Sequence, residues 1–133
     1  MKIALVTDTH FGARNDHDHF NNYFYEFYEN IFFPYLKEHN IDTCIHLGDV
    51  MDRRKFVSYK TAKDFREQFC ETFVTNDINV HMIVGNHDTY FKNTNEVNSL
   101  DELIGSRYEN IKIYREAETV EFDIPIFLSL IHI

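Results

Sequence analysis

The sequence predicts an α/β fold built on a mostly parallel sheet. Short continuous apolar runs at residues 3–6, 43–47 and 80–84 have the length and β-branched content of buried strands. Between them lie two longer stretches whose apolar residues recur every three or four positions, the period of amphipathic helices. Strands alternating with helices imply βαβ units and therefore parallel pairing. The chain has 133 residues, the size of one domain, and 44% of them are hydrophobic, enough to build a core.

The first strand, 3–6, reads as buried on both faces. The helix after it carries Phe20, Tyr23, Phe24, Phe27, Tyr28, Ile31, Phe32, Tyr35 and Leu36 as one aromatic stripe, read as core. Asp16 or Asp18 is placed to cap its start, and Pro34 predicts a kink or break inside it. The second strand, 43–47, ends at Gly48-Asp49. Ala62, Phe65, Phe69 and Phe73 mark the second helix, and residues 80–84 the third strand. Beyond Asp88 the signal weakens: 93–98 reads as a polar loop, 100–104 as a short helix, and 111–114 and 119–122 as strands by alternation.

Composition excludes several classes. No apolar run approaches the ~20 residues of a membrane helix, and residues 1–6 meet Asp8 too soon for a signal peptide. Cys44 and Cys70 are far apart and form no CxxC pair, so they read as buried free thiols of a reducing cytosol. The net charge of −9 argues against simple electrostatic binding of nucleic acid. Clustered carboxylates have another use, which is to hold divalent cations.

The three strands end in Thr7-Asp8-Thr9-His10, Gly48-Asp49-Val50-Met51-Asp52 and Gly85-Asn86-His87-Asp88. In a parallel sheet these are carboxyl ends on one edge, and ligands of open α/β sheets bind just outside that edge. Alone, Asp8 would be a turn former or helix cap, His10 a surface histidine and GNHD a turn. The three together predict that Asp8, His10, Asp49, Asn86 and His87 converge. Carboxylate, imidazole and amide oxygen suit manganese, iron, zinc or magnesium. Asp49, with two oxygens, could bridge a pair of ions ~3.5–4 Å apart. No GxxxxGK[ST] is present, so a P-loop is not supported.

The trio DTH, GDVMD and GNHD resembles the first three motifs of the calcineurin-like metallophosphoesterases. That resemblance implies a β-sandwich flanked by helices, of which this chain would be an incomplete, N-terminal part covering 1–123. It implies two divalent ions, with Asp8 and His10 on the first, Asp49 bridging, and Asn86 on the second. His87 would contact the scissile phosphate or protonate the leaving oxygen. The opening MKIALVTDTHFG and the aromatic helix are similar to the nuclease subunit of DNA double-strand-break repair complexes, the bacterial SbcCD type and the recombination endonuclease subunit of tailed phages among them. This implies a two-metal phosphodiester hydrolase acting on DNA with manganese. Its partners would be an ABC-type ATPase with a long coiled coil and a second copy in a homodimer, in the cytoplasm of a bacterium or a phage-infected host. A phosphomonoesterase or cyclic-nucleotide phosphodiesterase shares the same three motifs.

The family completes its site with a lone His, a Gly-His and a Gly-His-x-His further along, and none follows here. His132 lacks that setting and is not promoted to a ligand. Residues 124–133 read as a tail of uncertain, non-native origin, and the fragment is expected to be inactive by itself; a non-catalytic binding module is the reading of another class. Two further stretches stay open. Residues 15–19, NDHDH, read as a solvated cap or as a metal or DNA contact. Arg53-Arg54-Lys55 reads as a solvated turn or as a phosphate-backbone contact.

Overall fold

The computed structural model describes residues 1–122 and the backbone of one further strand, Pro125–Leu128; the proposed tail 124–133 otherwise lies outside the described residues, as does His132. Four parallel strands stand in sequence order, β1 (Ala4–Val6), β2 (Thr43–His46), β3 (Asn79–Ile83) and β4 (Ile111–Tyr114). The first crossover is α1, made of Asp18–Phe27, a π-helical turn Tyr28–Phe32, and Phe33–Glu38. The second is α2, made of Tyr59–Asp64, a π-helical stretch Phe65–Cys70, and Glu71–Thr75. The third carries the short helix α3 (Ser99–Leu103). A chain that adds each strand on the same side with the same crossover hand sets its helices on one face. The core follows: Cys44, Val80, Met82 and Val84 from the strands meet Phe33, Leu36, Phe65, Phe69 and Phe73 from α1 and α2.

The opposite face has a smaller cluster of Ile45, Ile83 and Tyr114. Val120 and Phe122 pack against it from the antiparallel hairpin of β5 (Glu118–Glu121) and β6 (Pro125–Leu128). This hairpin is a partial second layer, and the α/β class with a parallel sheet is as the sequence predicts. Burial on both faces holds for β2, all of whose residues are buried, but not for β1. Leu5 is 65% exposed there, because β1 is the sheet edge farthest from β4, where the hairpin's chain begins.

The aromatic stripe of α1 is offset from the predicted one. Its buried residues are Tyr25, Tyr28, Phe33 and Leu36, while Tyr23, Phe27, Ile31 and Tyr35 are exposed. The step of five from Tyr28 to Phe33 is the signature of the π turn, in which the Phe33 N–H donates to the Tyr28 carbonyl. The same turn absorbs Pro34. A proline cannot donate to the carbonyl four residues back; here the helix widens just upstream and Pro34 sits in the first turn of the resumed α-helix, so helical structure continues through it. In α2 all four predicted positions, Ala62, Phe65, Phe69 and Phe73, are buried. Cys44 and Cys70 are buried free thiols, and burial pushes the Cys44 thiol up to about 12.

Candidate metal centre

The register puts the three motif loops at one edge. Val6 pairs with His46, and His46 with Met82, so β1, β2 and β3 end level. Past the strands, the first two loops keep running side by side. The Asp8 N–H donates to the Gly48 carbonyl at 3.1 Å, His10 N–H to the Asp49 carbonyl at 3.1 Å, and Phe11 N–H to the Val50 carbonyl at 2.8 Å. Each polar stretch is tied down by a buried apolar neighbour. Phe11 lies 4.9 Å from Phe65 and 5.0 Å from Phe69, centroid to centroid, and Val50, Met51 and Val84 are fully buried. The core therefore grips the loops immediately beside the residues they present.

Asp8, His10 and Asp49 have φ of 54°, 44° and 53°. This left-handed region is unusual for residues with a Cβ, and such residues gather where surrounding structure holds a functional geometry. Glycine makes the closest approach possible. A Cβ at Gly85 would lie 2.0 Å from the Asp49 backbone nitrogen, and one at Gly48, itself at φ 101°, would lie 2.9 Å from the Gly85 Cα.

The fold brings one ligand atom each of Asp8, His10 and Asp49 within 4.8 Å of one another. His87 joins them: its ring stands edge-on to that of His10 at 4.9 Å, and its N–H donates to Asp49 Oδ1 at 2.8 Å. The His87 Nδ1 lies 2.6 Å from the Asp52 carbonyl. A carbonyl only accepts, so Nδ1 carries the hydrogen and Nε2 is left as the ring atom able to take up and return a proton. Asn86 follows Gly85 in the same loop, half-buried.

This donor set suits a divalent cation on the structure's own terms. The His10 Nδ1 is buried without a hydrogen-bond partner, 3.6 Å from Asp52 Oδ1. Among the described residues no lysine or arginine pairs with Asp8, Asp49 or Asp52. Carboxylates with two oxygens, an imidazole and no thiolate match manganese, iron, zinc or magnesium. The Asp8 carboxyl is held below its ordinary range by the Thr7 hydroxyl, which donates to it, and next by His10.

Three supporting residues were not visible as such in the sequence. Asp88, fully buried, accepts the N–H groups of Gly85 and Met51 at 2.8 Å and of Val50 at 3.2 Å, so it clamps the third loop to the second. Burial raises its carboxyl to about 6 against the pull of those donors. His46 is 1% exposed, and burial lowers it to about 4, so it is neutral at pH 7. The Gly48 N–H donates to its Nδ1, which leaves the hydrogen on Nε2 for Thr9 Oγ1 at 3.0 Å; the Thr9 hydroxyl in turn donates to the Val50 carbonyl. Asp52 positions His87 as described. Asp88 stood in a motif that also reads as a turn, and His46 is one polar residue in an apolar run.

The stretch 15–19 departs from its reading as a cap. Neither Asp16 nor Asp18 caps α1, whose N-cap is His17 without a side-chain bond. Asp16 turns inward, where it accepts from Arg53 Nη2 and Ser58 Oγ, each at 3.1 Å, and from Thr61 Oγ1. Arg53 is thus spent on a buried-side ion pair, while Arg54 reaches Thr89 Oγ1 at 3.3 Å and Lys55 lies over the Tyr90 ring. Among the described residues, nothing of 15–19 joins the Asp8–His10–Asp49 cluster.

The donor set at the sheet edge is one that could hold a divalent ion, and the chain belongs to the calcineurin-like phosphoesterase family, whose profile matches residues 1–130. More particularly, it is 34% identical over 123 residues to Exonuclease subunit 1 of Enterobacteria phage T4, a match covering 92% of this chain and 35% of that protein. The chain spans about a third of the length of the curated relative it matches. No helix among the described residues is long and apolar enough to cross a membrane.

Proposed function

We propose that the protein is a metal-dependent phosphodiester hydrolase that acts on DNA, a nuclease subunit. The observation that carries this reading is the convergence of Asp8, His10 and Asp49 within 4.8 Å at the ends of adjacent parallel strands, in a chain similar to a phage exonuclease subunit. Asp8 and His10 would hold a first divalent ion, Asp49 would bridge, and Asn86 would hold a second; manganese is the proposed metal. Such ions, when bound, supply Lewis acidity toward the phosphate and lower the pKa of water. The chain's own contribution is positioning. The Asp52 carbonyl and the edge of His10 fix the His87 ring, and His87 Nε2 is the group proposed to contact the scissile phosphate or to return a proton to the leaving oxygen. A DNA duplex end, an ABC-type coiled-coil ATPase subunit and a second copy of the chain are the proposed partners, in the cytoplasm of a bacterium or infected host.

Hydrolysis of double-stranded DNA ends and of a small phosphomonoester, compared with and without manganese, tests this on the complete product of the gene. The expected result is manganese-dependent DNA cleavage that falls at least ~100-fold in His87→Ala. Turnover of the monoester alone would replace the nuclease reading with a phosphomonoesterase. The 133-residue chain by itself is expected to hydrolyse close to background, because among the described residues Asp49 and Asn86 give the second ion only two groups.

A further inference from the structure

Two loops leave the site side by side. One follows Asp52 and carries Arg53, Arg54, Lys55 and Phe56; the other follows Asp88 and carries Tyr90 and Phe91. Two aromatic rings on the second loop face solvent, with Tyr90 41% and Phe91 49% exposed, while Phe56 of the first loop lies against Arg53 on the Asp16 side. Solvent-facing aromatics in short loops leave apolar area unburied, and a cluster of them marks a recognition surface. These rings are held in place. The second loop is closed at its base by Tyr90 N–H to the Val97 carbonyl at 2.9 Å and Ser99 N–H to the Asp88 carbonyl at 2.7 Å. Tyr90 and Phe91 meet edge-on with centroids 4.8 Å apart.

Cations sit among the rings. Lys55 Nζ lies 5.5 Å from the Tyr90 centroid, and Arg54 Nη1 joins the loops through Thr89. In a chain of net charge −9, this gathers positive charge beside a carboxylate-rich centre. The link to that centre is short, since the residue before Arg53 is Asp52, whose carbonyl holds His87. Aromatic faces interleaved with cations are the chemistry that binds unpaired bases together with their phosphates, without sequence preference.

We propose that Tyr90 and Phe91, with Arg54 and Lys55, form a stacking platform that receives unpaired bases of the DNA strand whose phosphate reaches the metal centre. This rests on the nuclease reading above and adds a preference to it: frayed or single-stranded ends bind better than fully paired ones.

The test is fluorescence anisotropy at low salt with chelator present, using the 133-residue chain, a short labelled oligothymidylate, and a labelled abasic strand of equal length that keeps the phosphates and lacks the bases. The abasic strand should bind roughly tenfold more weakly than oligothymidylate. Tyr90→Ala and Phe91→Ala should each lose roughly tenfold on oligothymidylate and change little on the abasic strand. Tyr90→Phe, which keeps the ring, should bind as the parent does. Equal binding of the two strands, alanine variants that bind as the parent does, or no binding of either strand would each overturn the platform. None of these touches the nuclease reading, which stands or falls on manganese-dependent DNA hydrolysis.

Discussion

Gly85→Ala should be the most damaging single substitution in the chain. The added Cβ would fall 2.0 Å from the Asp49 backbone nitrogen, 2.4 Å from Asp49 Oδ1 and 2.9 Å from Asp49 Cα. None of these atoms can step aside freely. Asp49 already occupies the left-handed region, its carbonyl accepts from His10, and its Oδ1 accepts from the His87 N–H. Retreat of the Gly85 backbone instead would break its N–H bond to Asp88. Overpacking against fixed backbone with loss of buried hydrogen bonds lies at the severe end of single substitutions, about 4 kcal/mol or more. Chemical denaturation should show that loss together with loss of metal binding. An unfolding midpoint equal to the parent's would mean that the second and third loops do not approach as described.

Asp88→Ala should cost about 3–5 kcal/mol, nearly as much. It strands three buried backbone donors at once, those of Gly85, Val50 and Met51. Each such donor costs roughly 1–3 kcal/mol when unpaired, and water entering the gap recovers part of the sum. Asp88→Asn should fall between, because its amide oxygen can still accept while its NH₂ must face another donor. A loss under about 1 kcal/mol in Asp88→Ala by denaturant unfolding would show that the clamp is dispensable.

Gly85 and Asp88 differ in how far their sequence neighbours betray them. Gly85 was legible as a place where backbone could come close, because a glycine between a buried strand and a polar motif has few other uses. Asp88 was not, because an acid in a turn and an acid clamping two loops look alike until the second loop is known. The same holds for His46, which holds Gly48 two residues on and Thr9 37 residues away in sequence. Local periodicity gave α2 correctly. In α1 it failed by a rotation, since a period of 3.6 cannot anticipate a π turn that steps the buried face by five. Strand existence was legible, whereas strand order was not, and with it went the knowledge that every helix lies on one face and that Leu5 stays exposed. Asp16 was misread because capping is a local inference, and Arg53, Ser58 and Thr61, which claim its carboxylate, arrive from another crossover.

Asp8, His10 and Asp49 are proposed as a cation site, with His87 assigned to the phosphate. Calorimetric titration of manganese into the 133-residue chain tests it most directly. The expected results are one weak site in the parent chain, no detectable binding in Asp49→Ala, and affinity within about twofold of the parent in His87→Ala, since that residue contacts Asp49 only through its backbone. Two tight sites in the parent, or a large loss of affinity in His87→Ala, would contradict this division of roles.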